Sequence, residues 1–199
     1  GYAPLGLGSD TGQSVRSPAS ACALVGVRPT RGLVSRSGLM PSSPSQDEIG
    51  PMARTARDAA RLLDVLAGHD PSDPVTARCA GRLVDGHARA LDGASLRGSR
   101  LGWLTAFHGG ETIHDPVNAV VAAAVEALRS AGSTVIPMAI PGLDALIRDL
   151  SLIPFEMAAA IDAWLAPRPH AAVRTFAEFA ARGEFHPSLR RHVEPCLTT

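Results

Sequence analysis

The sequence GSDTGQSVRSP, residues 8–18, carries more structural and chemical information than any other stretch of this 199-residue chain. Glycines at positions 8 and 12 allow successive backbone N–H groups to turn toward one point, which predicts a concavity able to hold an anion. Ser14 stands at the end of that turn, so its hydroxyl is expected beside those donors. A nucleophilic oxygen next to N–H groups that can hold an oxyanion is the arrangement that acyl transfer requires.

Two other motif interpretations of residues 8–18 fail on residue types. A phosphate-binding loop of the form GxxxxGK[ST] needs a lysine, and the chain contains none, since all 19 basic residues are arginine. A GxSxG nucleophile elbow needs glycine two residues after Ser14, where Arg16 stands instead. A purely structural glycine turn between buried elements remains open on residue types alone.

The flanking patterns predict an α/β fold. Residues 2–7 indicate a short buried strand that leads into a loop at residues 8–14. Residues 55–67 predict a helix, with Thr55 as its N-cap and an apolar stripe at helical spacing. Strand, helix and strand signals follow one another between residues 100 and 136, which predicts a right-handed parallel crossover and places the chain in the α/β class.

Composition argues against several classes of function. Equal totals of 19 basic and 19 acidic side chains leave no net field to attract nucleic acid or an anionic membrane. The longest apolar run, residues 119–125, is far too short to cross a bilayer. The three cysteines form no CxxC pair, and the seven histidines lack HExxH spacing, so we expect no metal site and no cofactor.

Three sequence blocks in fixed order resemble the amidase signature family of serine hydrolases, which cleave carboxamides. The first is residues 8–18, and the second is residues 22–32, CALVGVRPTRG. The third is residues 47–54, DEIGPMAR, which leads directly into the helix that Thr55 caps. Weaker similarity to the carboxy-terminal region of bacterial amidases lies at residues 152–165 and 185–189, so the resemblance spans nearly the whole chain.

The resemblance implies an amidase-signature α/β/α sandwich around a mixed β-sheet, of which this chain carries an incomplete part. Residues 1–199 are expected to form the carboxy-proximal part of a single domain. Within it we expect a nucleophile loop at residues 8–18, a continuation of the signature at residues 22–67 and a peripheral helical part at residues 143–199.

The family's site roles transfer to the matching positions of this chain. The resemblance makes Ser14 the acyl-forming nucleophile, and the oxyanion hole consists of the backbone N–H groups of Thr11, Gly12, Gln13 and Ser14. Asp10 and Arg16 are expected to brace the loop or to contact substrate. Met52 is expected to belong either to the acyl pocket or to the core.

The family's proton relay is a lysine, a serine in a cis peptide and then the nucleophilic serine. In this chain the first two would precede Gly1, so we expect residues 1–199 to belong to a longer amidohydrolase and to be inactive alone. One alternative is the A subunit of a tRNA-dependent amidotransferase, although that subunit typically has glycine where Gln13 stands. A non-catalytic, amidase-like remnant is the other alternative.

The implied partner is a small-molecule amide substrate, with neither nucleic acid nor membrane involved and with a homodimer left open. A cytoplasmic location is expected, although a targeting peptide would lie before Gly1. The identity of the amide does not follow from the sequence, because several loops assemble the acyl pocket in this family.

Overall fold

The computed structural model describes residues 2–82, 86–148 and 150–199, with Arg148 described by its backbone alone. The chain divides into two compact units, Gly1–Asp92 with Ser151–Thr199 and, separately, Gly93–Leu150. That all these residues belong to a single domain therefore stays a prediction. The expected peripheral part at residues 143–199 is divided, because residues 143–150 belong to the second unit.

Thirteen helices and strands of the described residues are, in chain order, β1 Leu5–Asp10, α1 Arg16–Ala21, β2 Val25–Gly26, β3 Glu48–Ala53, α2 Ala56–Leu66, β4 Arg100–Leu104, α3 Asp115–Ser130, β5 Thr134–Met138, α4 Leu143–Arg148, α5 Ile153–Leu165, α6 Phe176–Arg182, α7 Arg190–Val193 and α8 Pro195–Thr198. Short 3₁₀ turns occur at Pro74–Cys79, Arg89–Leu91, Thr105–Phe107, Thr112–His114 and Pro187–Leu189.

The first unit contains a three-stranded antiparallel sheet with β3 in the middle. Strand β1 pairs with β3 along its whole length, from Leu5 opposite Ala53 to Asp10 opposite Glu48. Strand β2 adds two residues on the other side of β3. This pairing carries the chain directly from the sheet into the short segment that contains Ser14.

The predicted boundary between strand and loop is wrong at this point. We expected a strand at residues 2–7 and a loop from residue 8, but β1 runs from Leu5 to Asp10. Strand β3 offers pairing partners as far as Glu48, so the chain stays extended through residues 8–10. Because α1 begins at Arg16, the expected nucleophile loop at residues 8–18 shortens to residues 11–15.

Glycine is required at position 8 because a side chain would crowd its neighbours there, and not because the chain turns. Its φ is not positive, and it lies inside β1. A Cβ at this position would lie 3.1 Å from Val15 Cγ2 and 3.2 Å from Met52 Cε, tighter than most Cβ contacts. The expectation that Gly8 bends the chain is therefore corrected, since the Val15 and Met52 side chains pack over it instead.

Helix α2 confirms the helix that the sequence predicts at residues 55–67. Thr55 is the N-cap, and its hydroxyl accepts a hydrogen bond from the Asp58 N–H at 3.1 Å. Ala59 and Leu63 of this helix are buried, and the helix packs on β3. An N-cap threonine of this kind typically contributes about 1 kcal/mol to helix stability.

The second unit confirms the predicted parallel crossover. Strands β4 and β5 pair in parallel, with Arg100 opposite Thr134 and Leu104 opposite Met138, and α3 connects them. Val125 of α3 is buried, whereas Val117 and Val120 keep 64% and 70% of their surface exposed. Among the helices of the described residues, none is long and apolar enough to cross a membrane.

A second helical cluster in the first unit is formed by α5 to α8. Its core consists of Phe176, Val193 and Cys196, against which Phe179 and Phe185 pack. The three phenylalanine rings follow one another, with centroids 6.0 and 5.2 Å apart. The Cys196 thiol is buried and burial raises its pKa; Cys79 is also buried, whereas Cys22 is exposed.

An ion pair between Arg36 and Asp73 anchors the loop after β2. Arg36 donates to the Asp73 carboxylate from Nη2 at 2.8 Å and from Nε and its backbone N–H at 2.9 Å each. These bonds lower the pKa of Asp73 from 3.8 to about 2, outweighing the opposing effect of burial. Asp73 is only 6% exposed, so the pair is little screened by water.

We therefore predict an acid-dependent loss of stability that depends on Asp73. Because its folded pKa lies below its unfolded value, the stabilisation is complete above about pH 4 and is lost as pH falls toward 2, by up to about 2 kcal/mol. Urea unfolding at pH 5 and pH 2 should show a smaller difference in Asp73→Asn than in the native chain. The control is Asp92→Asn, which removes an exposed carboxylate that pairs with Arg57. Equal pH dependence of stability in all three proteins would contradict the prediction.

Candidate active site

Ser14 lies in the short segment between β1 and α1. Its side chain is exposed, and its hydroxyl has no hydrogen-bond partner within the described part of the chain. Asp10 ends the strand before it, and Val15, fully buried, fixes the chain directly after it. The hydroxyl is therefore accessible and held on both sides by buried neighbours.

The backbone N–H groups around Ser14 are unoccupied donors. Those of Thr11, Gly12, Gln13 and Ser14 have no acceptor among residues 2–82, 86–148 and 150–199. Gln13 does not have a positive φ, so its Cβ causes no backbone strain. Unpaired N–H groups next to an accessible hydroxyl match what the stabilisation of an oxyanion needs.

Asp10 is the central anion of this segment. Its carboxylate is fully buried and accepts hydrogen bonds from Arg16 Nε at 3.1 Å, from Arg28 Nη1 at 2.9 Å and from the Val15 N–H at 3.2 Å. Burial alone would raise its pKa, but the hydrogen bonds of Arg16 and of the Val15 N–H outweigh it, and the pKa is lowered. A buried carboxylate with these contacts favours bracing of the loop over contact with substrate.

Arg16 reaches across the loop that contains Ser14. Its Nη2 donates to Asp10 Oδ1 at 3.3 Å and also to the Gly12 carbonyl, while half of its side chain stays exposed. The guanidinium therefore ties the start of the loop to its end. Its exposed half leaves room for substrate contact as well, so both roles in our expectation stay open.

Met52 lies on the sheet beside the segment that contains Ser14. It is half-buried, and its Cε lies over Gly6 and Gly8 of β1, next to the Val15 side chain. It also lines an open cavity of about 490 Å³, together with residues at the start of β1 and the end of β3. None of residues 10–16 lines this cavity, so a role of Met52 in an acyl pocket stays a prediction.

The contacts that two residues, Arg28 and Asp47, make in this site were not predicted from the sequence. Arg28 lies in the second sequence block and binds both the carboxylate and the carbonyl of Asp10, and it also donates to the Gln46 carbonyl at 2.6 Å. Asp47 opens the third block and accepts a hydrogen bond from Thr11 Oγ1 at 2.5 Å. Their positions in the two blocks were the signal, but no local pattern shows which residues they bind.

The described residues contain no group of three or more His, Cys, Asp or Glu side chains placed to hold a metal ion.

Comparison with known proteins places these features in a family. The family model described as Amidase matches residues 1–194. The chain is 44% identical over 153 residues to the A subunit of the glutamyl-tRNA(Gln) amidotransferase of Deinococcus radiodurans, a match that covers 77% of this chain and 30% of that protein. The chain thus spans about a third or less of the length of this curated relative.

Solved structures agree with the sequence comparison. The crystal structure of PAM12A superposes with a TM-score of 0.84 at 33% identity, covering 99% of this chain and 41% of that one. Native peptide amidase from Stenotrophomonas maltophilia superposes with a TM-score of 0.81 at 30% identity, with the same coverage. The α/β fold expected from the sequence is therefore confirmed.

Proposed function

The chain belongs to the amidase family, and on that premise we propose that Ser14 is the nucleophile of an amide-cleaving acyl transfer. Family membership supports a hydrolase that acts on C–N bonds. The observation that carries the assignment to Ser14 is its exposed hydroxyl, adjacent to four unpaired backbone N–H groups. Substrate, oligomeric state and partners of the whole protein belong to this proposal and not to the family match.

The proposed reaction has two halves. Ser14 Oγ attacks the amide carbon while its proton passes to a base, and the N–H groups of residues 11–14 hold the oxyanion that forms. The C–N bond then breaks, the leaving amine takes up the proton, and an ester to Ser14 remains. Water then attacks the ester carbon while the base takes up its proton. The bond to Ser14 Oγ breaks, the acid is released, and the proton passes from the base to the Ser14 oxygen. Asp10 and Arg16 hold the segment in place throughout.

In the amidase signature family the base is a lysine, and residues 1–199 contain no lysine. We therefore predict that residues 1–199 alone hydrolyse amides at least ~10²–10⁴-fold more slowly than a protein that joins this chain to a segment with the lysine and the cis-peptide serine. Steady-state hydrolysis of an aryl amide by both proteins measures the difference. Equal rates would contradict a role for the relay.

Labelling tests the nucleophile directly. A fluorophosphonate that reacts with activated serines should modify the full-length protein at Ser14, as found by peptide mapping. Modification at another serine would defeat the assignment. No modification, in a protein whose gene lacks the lysine and the cis-peptide serine, would favour a non-catalytic remnant.

A second candidate function is supported by the similarity to the amidotransferase of Deinococcus radiodurans. In this alternative the same acyl transfer would release ammonia from glutamine within a complex. Copurification of the full-length protein with partner subunits, together with glutaminase activity, would favour it. Against it stands Gln13, in place of the glycine that the amidotransferase typically has.

A further inference from the structure

We propose that Asp47 is a positioning residue of this site, which holds Thr11 so that the Thr11 N–H faces the developing oxyanion. The proposal rests on the proposed role of Ser14 as nucleophile. It adds a residue to which the resemblance assigned no role and which acts through Thr11 and not on the substrate.

The contact between the two side chains is short and shielded. Thr11 Oγ1 donates to Asp47 Oδ1 at 2.5 Å, and the two residues are 36 positions apart in sequence. Asp47 is only 3% exposed. A hydroxyl bound to a buried carboxylate forms a charge-assisted hydrogen bond, which is about twice as strong as one between neutral groups.

Asp47 is itself held firmly by its own loop. Its Oδ2 accepts from the backbone N–H groups of Ser42 at 2.9 Å and Ser43 at 3.0 Å, so Oδ1 is the oxygen that remains for Thr11. Glu156 of α5 then binds the hydroxyls of Ser43 at 2.6 Å and Ser45 at 2.5 Å. The loop at residues 42–47 is therefore anchored to a helix more than 100 residues further along the chain.

The segment around Ser14 has few other restraints on its first half. After Thr11, the Gly12 carbonyl accepts from Arg16, and the Gln13 carbonyl accepts from the Ser17 N–H at 2.8 Å. Both of these bonds tie the segment to α1. The Thr11 hydroxyl, in contrast, ties the start of the segment to the loop at residues 42–47, through Asp47.

The arrangement of the two loops supports the same conclusion. Arg28 joins the Asp10 carboxylate to the Gln46 carbonyl, one residue before Asp47. The loop at residues 42–47 therefore binds the Ser14 segment on both sides of the bond between residues 10 and 11. Loss of the Asp47 carboxylate would release Thr11 while Arg28 still holds Asp10.

Kinetics of the full-length protein test the proposal. We expect Asp47→Ala and Thr11→Val each to lower kcat about 10–100-fold with KM changed less than about threefold, since removing one oxyanion donor outright costs ~10²–10³-fold. Thr11→Ser, which keeps the hydroxyl, should recover most of the kcat that Thr11→Val loses. The double variant should lose little more than either single one, because both remove the same contact.

The matched control is Asp73→Asn, which also removes a buried carboxylate, but one that binds Arg36 and makes no contact with Thr11. It should lower thermal stability without lowering kcat. In the 199-residue chain, ¹⁵N order parameters of Gly12 and Gln13 should fall in Asp47→Ala and stay unchanged in Asp73→Asn.

The two proposals fail in different ways. If native protein is labelled at Ser14 but Asp47→Ala keeps full kcat, the positioning role is wrong and the nucleophile assignment stands. If native protein is not labelled at Ser14, both are overturned. A kcat loss in Asp73→Asn equal to that in Asp47→Ala would also overturn the positioning role, since general destabilisation would then explain the result.

Discussion

Replacing Ser14 with alanine should lower kcat/KM for amide hydrolysis by ~10⁵-fold or more in the full-length protein and abolish its labelling by a fluorophosphonate. The residue is exposed and unpaired within the described part of the chain, so the substitution removes the attacking oxygen without breaking a contact that stabilises the fold. Loss of a nucleophile that works as a unit with its base costs nearly the whole catalytic effect. Initial rates and mass spectrometry of the labelled peptide measure both outcomes.

The control variants are Ser9→Ala and Ser17→Ala, because both serines are exposed and lie within five residues of Ser14. We expect each to keep native kcat/KM within about threefold, as is usual for surface substitutions that break no contact. If Ser14→Ala keeps a kcat/KM close to that of the native protein, or if Ser17→Ala loses as much as Ser14→Ala, the nucleophile lies elsewhere.

Replacing Gly50 with alanine should lower the free energy of unfolding by about 3 kcal/mol, at the upper end of typical costs for overpacking. An alanine Cβ would lie 1.9 Å from the Val27 carbonyl oxygen and 3.1 Å from its carbon, so backbone and not a flexible side chain would have to move. Urea unfolding of the 199-residue chain, followed by circular dichroism, measures the change.

Gly6→Ala is the matched control on the neighbouring strand. The added methyl would meet only Met52 Cε at 3.8 Å, an ordinary contact. Because glycine within a strand costs roughly 0.5–1 kcal/mol relative to alanine, this variant should be as stable as native or slightly more so. Equal destabilisation of the two variants would contradict the close approach of Val27 to Gly50.

Gly50→Ala should also affect the candidate active site around Ser14. The approach of Val27 to Gly50 sets the position of Arg28, the next residue, whose guanidinium binds Asp10 and the Gln46 carbonyl. If Val27 is pushed away from β3, the Arg28 guanidinium moves away from Asp10 and from the Gln46 carbonyl. Gly50→Ala should then reduce labelling of Ser14 as well, whereas Gly6→Ala should not.

The sequence alone was sufficient to predict the features that depend on residues close together in the chain. Helix α2 follows from its N-cap and its apolar stripe, and the crossover of β4, α3 and β5 follows from the strand, helix and strand signals between residues 100 and 136. Family membership follows from the order of three sequence blocks, and those blocks also singled out Ser14. These signals are local, so no knowledge of distant partners was needed.

Only the tertiary structure decided where β1 ends and what binds the Ser14 segment. Residues 8–10 resemble a glycine turn by composition, but β3 offers them pairing partners, and the hydrogen bonds gained keep the chain extended. The contacts of Thr11 with Asp47 and of Asp10 with Arg28 join residues 36 and 18 positions apart. A single sequence shows residue types but not which distant groups meet, because that depends on how the sheet and its loops pack together.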